Sequence, residues 1–183
     1  FWYLTGFDEP DAVALLLSHR DEGEKFILFV NPKDQESEVW NGYRWGIEGA
    51  KEVFKADKAH SINEFEIFLA HYLKGADELV FPVGKHQKIE SIVLDIWSKQ
   101  LENLSRVGWS AKALRSPDFF LNHMRLIKSD YEIERMREAA QISAEAHELV
   151  RAKASTKTNE RQLQGVIEGF FLEKGTRGPA YNT

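Results

Sequence analysis

The chain has 183 residues, 24 Lys+Arg against 29 Asp+Glu, a formal net charge of −5, 43% hydrophobic residues and no cysteine. That is the composition of a folded globular protein, long enough for one core and part of another; it excludes a disulfide scaffold, a thiolate zinc site and a cysteine nucleophile, and it fits a reducing compartment. The acidic balance argues against nucleic acid as a partner, and the longest apolar run, Ala12 to Leu17, falls far short of the ~20 residues that span a bilayer.

The opening Phe1-Trp2-Tyr3-Leu4-Thr5 is aromatic and rich in β-formers, which predicts a strand, and Gly6 to Asp11 is turn chemistry around Pro10. Ala12 to Leu17 predicts a strand buried on both faces, and Lys25 to Val30 a third strand that ends at Asn31-Pro32. The polar turn between these two, with Gly23, makes them a hairpin. From Lys33 to Phe54, acidic residues alternate with Trp40, Tyr43 and Trp45, and Gly42, Gly46 and Gly49 interrupt any regular helix. Short helical pieces around an exposed loop are expected there.

Ser61-Ile62-Asn63-Glu64 is a capping box, and behind it Ile62, Phe65, Leu69, Tyr72 and Leu73 form one apolar stripe that closes at Gly75. Glu78 to Phe81 predicts a short strand. Lys88 to Leu104 predicts an amphipathic helix with Ile89, Ile92, Val93, Ile96 and Leu104 inward, and Val107 to Leu114 a further strand. Strands alternating with helices give an α/β layer architecture, complete by about Asn122. A second unit opens with the capping box Ser129-Asp130-Tyr131-Glu132. Its helix turns Ile133, Met136, Ala140, Ser143, His147 and Val150 inward. Thr158 or Asn159 caps another helix bearing Leu163, Val166, Ile167, Phe170 and Phe171, with Gly175 after its end. Two helices and one incipient strand do not close a core. Together with the aromatic opening and the stop at Tyr181-Asn182-Thr183, this reads as a piece of a longer chain.

The residues alone name no reaction. There is no HExxH, no GxSxG elbow, no P-loop and no dinucleotide fingerprint. Acidic pairs such as Asp8/Glu9, Asp21/Glu22 and Asp77/Glu78 read as solvated loop charges. His147 reads as a hydrogen-bonded structural histidine. The cluster Trp40, Tyr43 and Trp45 is either a binding surface or a set of rings folded back onto the core.

Four stretches carry a family resemblance. These are Phe1-Trp2-Tyr3-Leu4-Thr5-Gly6-Phe7-Asp8-Glu9-Pro10-Asp11-Ala12; Glu38-Val39-Trp40-Asn41-Gly42-Tyr43-Arg44 with Gly46-Ile47-Glu48-Gly49-Ala50; Met124-Arg125-Leu126-Ile127-Lys128-Ser129 with Glu132-Ile133, Met136-Arg137, Ala139-Ala140 and Ala146-His147; and Pro179-Ala180-Tyr181-Asn182-Thr183. In this order they resemble the Xaa-Pro aminopeptidases (aminopeptidase P). Ala154-Ser155-Thr156 departs from the family's usual Pro-Gly turn between the two helices.

The resemblance implies an α/β domain at residues 1–122, a mixed sheet flanked by helices of the creatinase/aminopeptidase P N-terminal type. Residues 123–183 would be the first helices of an α+β pita-bread metallopeptidase domain. It implies a cytoplasmic homo-oligomer (dimer or tetramer) that removes an N-terminal residue preceding proline from peptides, with no membrane or nucleic-acid partner. Two Mn²⁺ ions held by two Asp, one His and two Glu would generate the nucleophile. None of those ligands falls in this chain, so no catalytic or metal-binding residue is assigned and the chain by itself is expected to be inactive. One role carries over: Trp40 matches a loop Trp that packs on substrate, with Arg44 supporting the loop by a salt bridge. The alternatives are a non-catalytic peptide-binding or assembly module on the same fold, or prolidase.

Overall fold

Strand β2 (Phe26–Val30) sets the layering of the first unit, with Ile27, Leu28, Phe29 and Val30 each 0% exposed. Side chains alternate across a strand, so Ile27 and Phe29 enter one apolar cluster and Leu28 and Val30 another. A strand with two buried faces requires cover on both. The computed structural model describes residues 1–183, the side chain of Val107 excepted. The chain divides into two compact units, Phe1–Phe119 and Phe120–Thr183.

In the first unit, β1 (Val13–Leu16) pairs antiparallel with β2, setting Val13 opposite Phe29 and Leu16 opposite Phe26. On the other edge β3 (Lys58–Ser61) pairs parallel, with Ile27 opposite Lys58 and Val30 opposite Ser61. The sheet is therefore mixed, in the order β1-β2-β3. A parallel neighbour demands a crossover, supplied by α2 (Gln35–Asn41) and α3 (Gly46–Glu52). The Asp57 carboxylate ties the crossover's end to the start of β2 by accepting the backbone N–H groups of Lys25 (2.8 Å) and Phe26 (2.9 Å).

After β3 the Ser61 capping box forms: the Ser61 hydroxyl accepts Asn63 N–H (3.3 Å) and the Glu64 carboxylate accepts Ser61 N–H (3.0 Å). One 3₁₀ turn (Ile62–Glu64) leads into α4 (Phe65–Tyr72), which places Phe65, Leu69 and Tyr72 against Ile27 and Phe29. Each such side chain removed from water stabilises the fold by about 1.5–3 kcal/mol. A second pair of strands, β4 (Glu78–Val80) and β5 (Ala113–Arg115), is parallel, Leu79 facing Leu114. Its crossover is α5 (Gln87–Glu102), whose Val93 and Ile96 join the same cluster and whose Trp97 indole N–H donates to the Ala111 carbonyl (2.8 Å).

Four expectations need correcting in this unit. Phe1 to Thr5 is not a strand: Trp2–Thr5 forms one helical turn, α1, ended by Gly6 at φ 66°. Both edges of β2 are taken by β1 and β3, and the turn instead brings Phe1 edge-on to Phe7 (6.5 Å between ring centres). The doubly buried strand is β2 and not β1, which lies at the sheet's edge and leaves Leu16 56% exposed. The long helix stops at Glu102; Leu104 begins a separate turn, α6 (Leu104–Val107), and is exposed. Only Ala113–Arg115 of the segment from Val107 onward pairs as a strand.

The second unit is helical. Beyond α7 (Asp118–Leu126), α8 (Asp130–Lys153) starts at the Ser129/Glu132 capping box, and α9 (Glu160–Glu173) at a capping box between Asn159 and Gln162. Glu145 and Lys174 bridge the pair at 3.0 Å. The inward face of α8 is rotated from the expected one. Ile133, Ser143 and Val150 are half-buried and Ala146 fully so, while Met136, Ala140 and His147 are exposed. The expected face assumed a sheet beneath α8; a single neighbouring helix covers a narrower stripe.

Candidate functional site

The segment between β2 and α3 is built to hold one aromatic ring out. Asp34 caps α2, accepting Glu36 N–H (3.2 Å) and the Ser37 hydroxyl (2.5 Å), and the Ser37 bond holds its carboxyl below the usual aspartate range. The helix ends at Gly42, whose φ of 84° suits only a residue without a Cβ. Trp40 stands in the last turn, 87% exposed, beside exposed Val39. The backbone following it is pinned. Glu38 accepts Arg44 N–H (3.0 Å), and Glu9, from the turn before β1, accepts Trp45 N–H. The second Glu9 oxygen, Oε2, lies out of solvent without a hydrogen-bond partner among the described residues.

The aromatic cluster therefore splits. Trp45 folds back, 5.5 Å from the Phe54 ring and within the cluster that holds Phe7 and Leu28. Gly49 makes this possible, since a Cβ there would lie 2.9 Å from Trp45 Cβ. Tyr43 is perpendicular to Trp45 at 5.3 Å and mostly exposed. Lys33 lies over the Tyr43 ring (4.7 Å) and donates to its hydroxyl (3.1 Å), which raises the ammonium above the usual lysine range. Arg44 contributes its backbone N–H, and its guanidinium acts through space on Asp34, in place of the expected salt bridge.

An open groove of about 460 Å³ is lined by Pro32 and Lys33, by Tyr43 and Trp45, and by Ile47, Glu48, Glu52 and Val53 of the α3 region. Sequence reading missed this groove, because its walls come from separate segments.

Other polar groups have structural partners. His60 sits between the Phe68 (4.3 Å) and Phe29 (5.3 Å) rings, its Nε2 2.6 Å from the Tyr72 hydroxyl; burial lowers its pKa and raises that of Tyr72. The His147 ring N–H donates to the Ser143 carbonyl one turn back (2.8 Å), as a structural histidine does, although the ring is exposed. Among the described residues no three His, Asp or Glu converge as metal ligands. No described helix is long and apolar enough to cross a membrane.

Residues 1–81, which include the Trp40 loop and its Glu9 anchor, match the family model for the N-terminal domain of aminopeptidase P. The chain's N-terminal region matches aminopeptidase P. The agreement extends further along the chain. Xaa-Pro aminopeptidase of Haemophilus influenzae is 37% identical over 185 aligned residues, covering 100% of this chain and 40% of that protein. Aminopeptidase PepP of Pseudomonas aeruginosa superposes with a TM-score of 0.90 at 32% identity, over 99% of this chain and 41% of its own. A zinc-substituted Escherichia coli aminopeptidase P in complex with product gives a TM-score of 0.91 at 32% identity, over 100% of this chain and 41% of its own. The chain thus spans about two-fifths of the length of these aminopeptidase P relatives.

Proposed function

We propose that this chain works as the N-terminal part of an Xaa-Pro aminopeptidase, which removes the residue preceding proline from the amino end of a peptide. The observation that carries the reading is the agreement with Xaa-Pro aminopeptidases along the whole chain, in sequence and in backbone. The metal pair, two Mn²⁺ in this reading, would be held outside this chain. The role left to the chain is recognition and assembly in a cytoplasmic homo-oligomer.

Within that role, Trp40 is the substrate-contacting residue. A ring 87% exposed on a pinned helical turn has neither a packing role to lose nor a loop to reorder on binding. Supplied with Mn²⁺, a protein containing this segment within a complete metallopeptidase should cleave Xaa-Pro peptides and leave Xaa-Ala peptides intact. The 183-residue chain alone should cleave neither. Equal cleavage of both substrates by the complete protein overturns the proline reading, and turnover by the chain alone overturns the division of labour.

A further inference from the structure

We propose that Asn41–Gly42, at the end of α2, is a site of spontaneous modification: the asparagine converts to aspartate and isoaspartate beside the exposed Trp40 ring, at a rate set by the last turn of α2. The reaction uses only the chain itself and water, so it stands apart from the peptidase reading.

Asparagine is thermolabile because its side-chain amide lies within reach of the next backbone nitrogen. Once that nitrogen has lost its proton it attacks Cγ. An N–Cγ bond forms, the Cγ–Nδ2 bond breaks, and Nδ2 takes up a proton and leaves as ammonia. Water then adds to one carbonyl of the cyclic imide, opening it to aspartate, or to the other, opening it to isoaspartate. Of the asparagines in this chain only Asn41 precedes glycine. A glycine nitrogen has no Cβ to shield it, and the space a Cβ would fill at Gly42 is open. Asn31 precedes Pro32, whose nitrogen has no proton to lose, and the other asparagines precede larger residues.

The structure adds access and control. Asn41 and Gly42 are both exposed. The helical backbone at Asn41 turns the Gly42 nitrogen away from Cγ, and the Gly42 N–H donates to the Glu38 carbonyl (3.0 Å). Reaction therefore waits for this turn to open. Opening costs little, because α2 has seven residues, none of them buried, and is held at its start by the Asp34 cap. The product does not restore the turn. Its carboxylate stands at the negative end of the helix dipole. Isoaspartate also lengthens the backbone between Trp40 and Arg44, whose N–H is fixed by the Glu38 carboxylate (3.0 Å). Modification thus re-aims the Trp40 ring.

The test ages the 183-residue chain in mildly alkaline buffer and follows its tryptic peptide of residues 34–44 by mass spectrometry, with the aspartate and isoaspartate forms separated by chromatography. Asn41 should convert ahead of every other asparagine, give both products, and convert faster as pH rises. A free peptide of residues 34–44 should convert faster than the folded chain. Asp34→Ala removes the cap and should accelerate conversion in the chain about threefold or more, with folding of the variant certified by the retained dispersion of its amide spectrum. The Trp40 indole N–H resonance should move during ageing while that of Trp45 stays, and neither should move in Asn41→Gln. The proposal is overturned if Asn41 persists after the free peptide has fully converted, if another asparagine converts first, or if aspartate alone forms, as direct hydrolysis would give. Equal rates in the chain, the free peptide and Asp34→Ala overturn the control by α2, and an unmoved Trp40 resonance in the converted chain overturns the re-aiming.

Discussion

Glu9 and Trp45, 36 residues apart, are joined by one hydrogen bond, from the Trp45 backbone N–H to a carboxylate whose other oxygen is shut away from solvent. It ties the turn ahead of β1 to the loop that presents Trp40, across the cluster formed by Phe7, Leu28 and Trp45. The exposed indole is therefore held by the core.

Glu9→Ala should then do more than remove a surface charge. It strands a part-buried backbone N–H, which costs about 1–3 kcal/mol, and it frees residues 42–45 to move. Urea denaturation should show the loss, and amide exchange at Trp45 should accelerate. Glu9→Gln, which keeps an acceptor oxygen, should recover most of the protection at Trp45. Wild-type exchange in Glu9→Ala contradicts the assignment.

Gly46→Ala tests the opposite wall of the loop. At φ 65°, and with a Cβ placed 2.8 Å from Lys33 Cγ, the substitution is both strained and crowded. A destabilisation of about 1–3 kcal/mol is expected, and Lys33 should be displaced from the Tyr43 ring. Thermal melts and the Tyr43 ring resonances report the two effects separately. An unchanged melt contradicts the conformational argument.

His60 makes stability pH-dependent in one direction. Burial lowers its pKa in the folded chain, while in the unfolded chain it titrates near 6.5. Between those two values the unfolded state binds more protons, so stability falls as pH drops through about 6.5 toward the lowered value and is intact above it. The His60 Nε2 lies 2.6 Å from the Tyr72 hydroxyl, so the charge gained on protonation falls within this part-buried contact. The urea midpoint should drop from about pH 7.5 to about pH 5.5, and His60→Gln should flatten that slope. An equal slope in the variant contradicts the role given to His60.

The parts of this fold legible in the sequence are those set by short-range chemistry. The boxes at Ser61 and Ser129 and the Asn159 cap form where hydroxyl or amide and acidic or amide partners lie three residues apart. The stripe of Phe65, Leu69 and Tyr72 is buried because one helix face meets one sheet face. What failed depended on neighbours distant in sequence. Phe1 to Thr5 has strand-forming residues but closes on Phe7 as a helical turn. Ala12–Leu17 and Phe26–Val30 are both apolar runs, and only pairing on two edges distinguishes the buried centre from the exposed edge. At the candidate site, Trp40, Tyr43 and Trp45 announced an aromatic loop. Which ring turned outward was decided by Glu9, Gly49 and Phe54, none of which marks itself in the sequence.

The most direct test of the account compares Trp40→Ala with wild type in a complete Xaa-Pro aminopeptidase carrying this segment, by steady-state kinetics on Xaa-Pro dipeptides and on longer peptides. With the Trp40 ring 87% exposed and outside the core, the substitution should leave the melting temperature and metal content unchanged. The account predicts a several-fold rise in KM for the longer peptides with kcat held. Identical kinetics on both substrate lengths would contradict it.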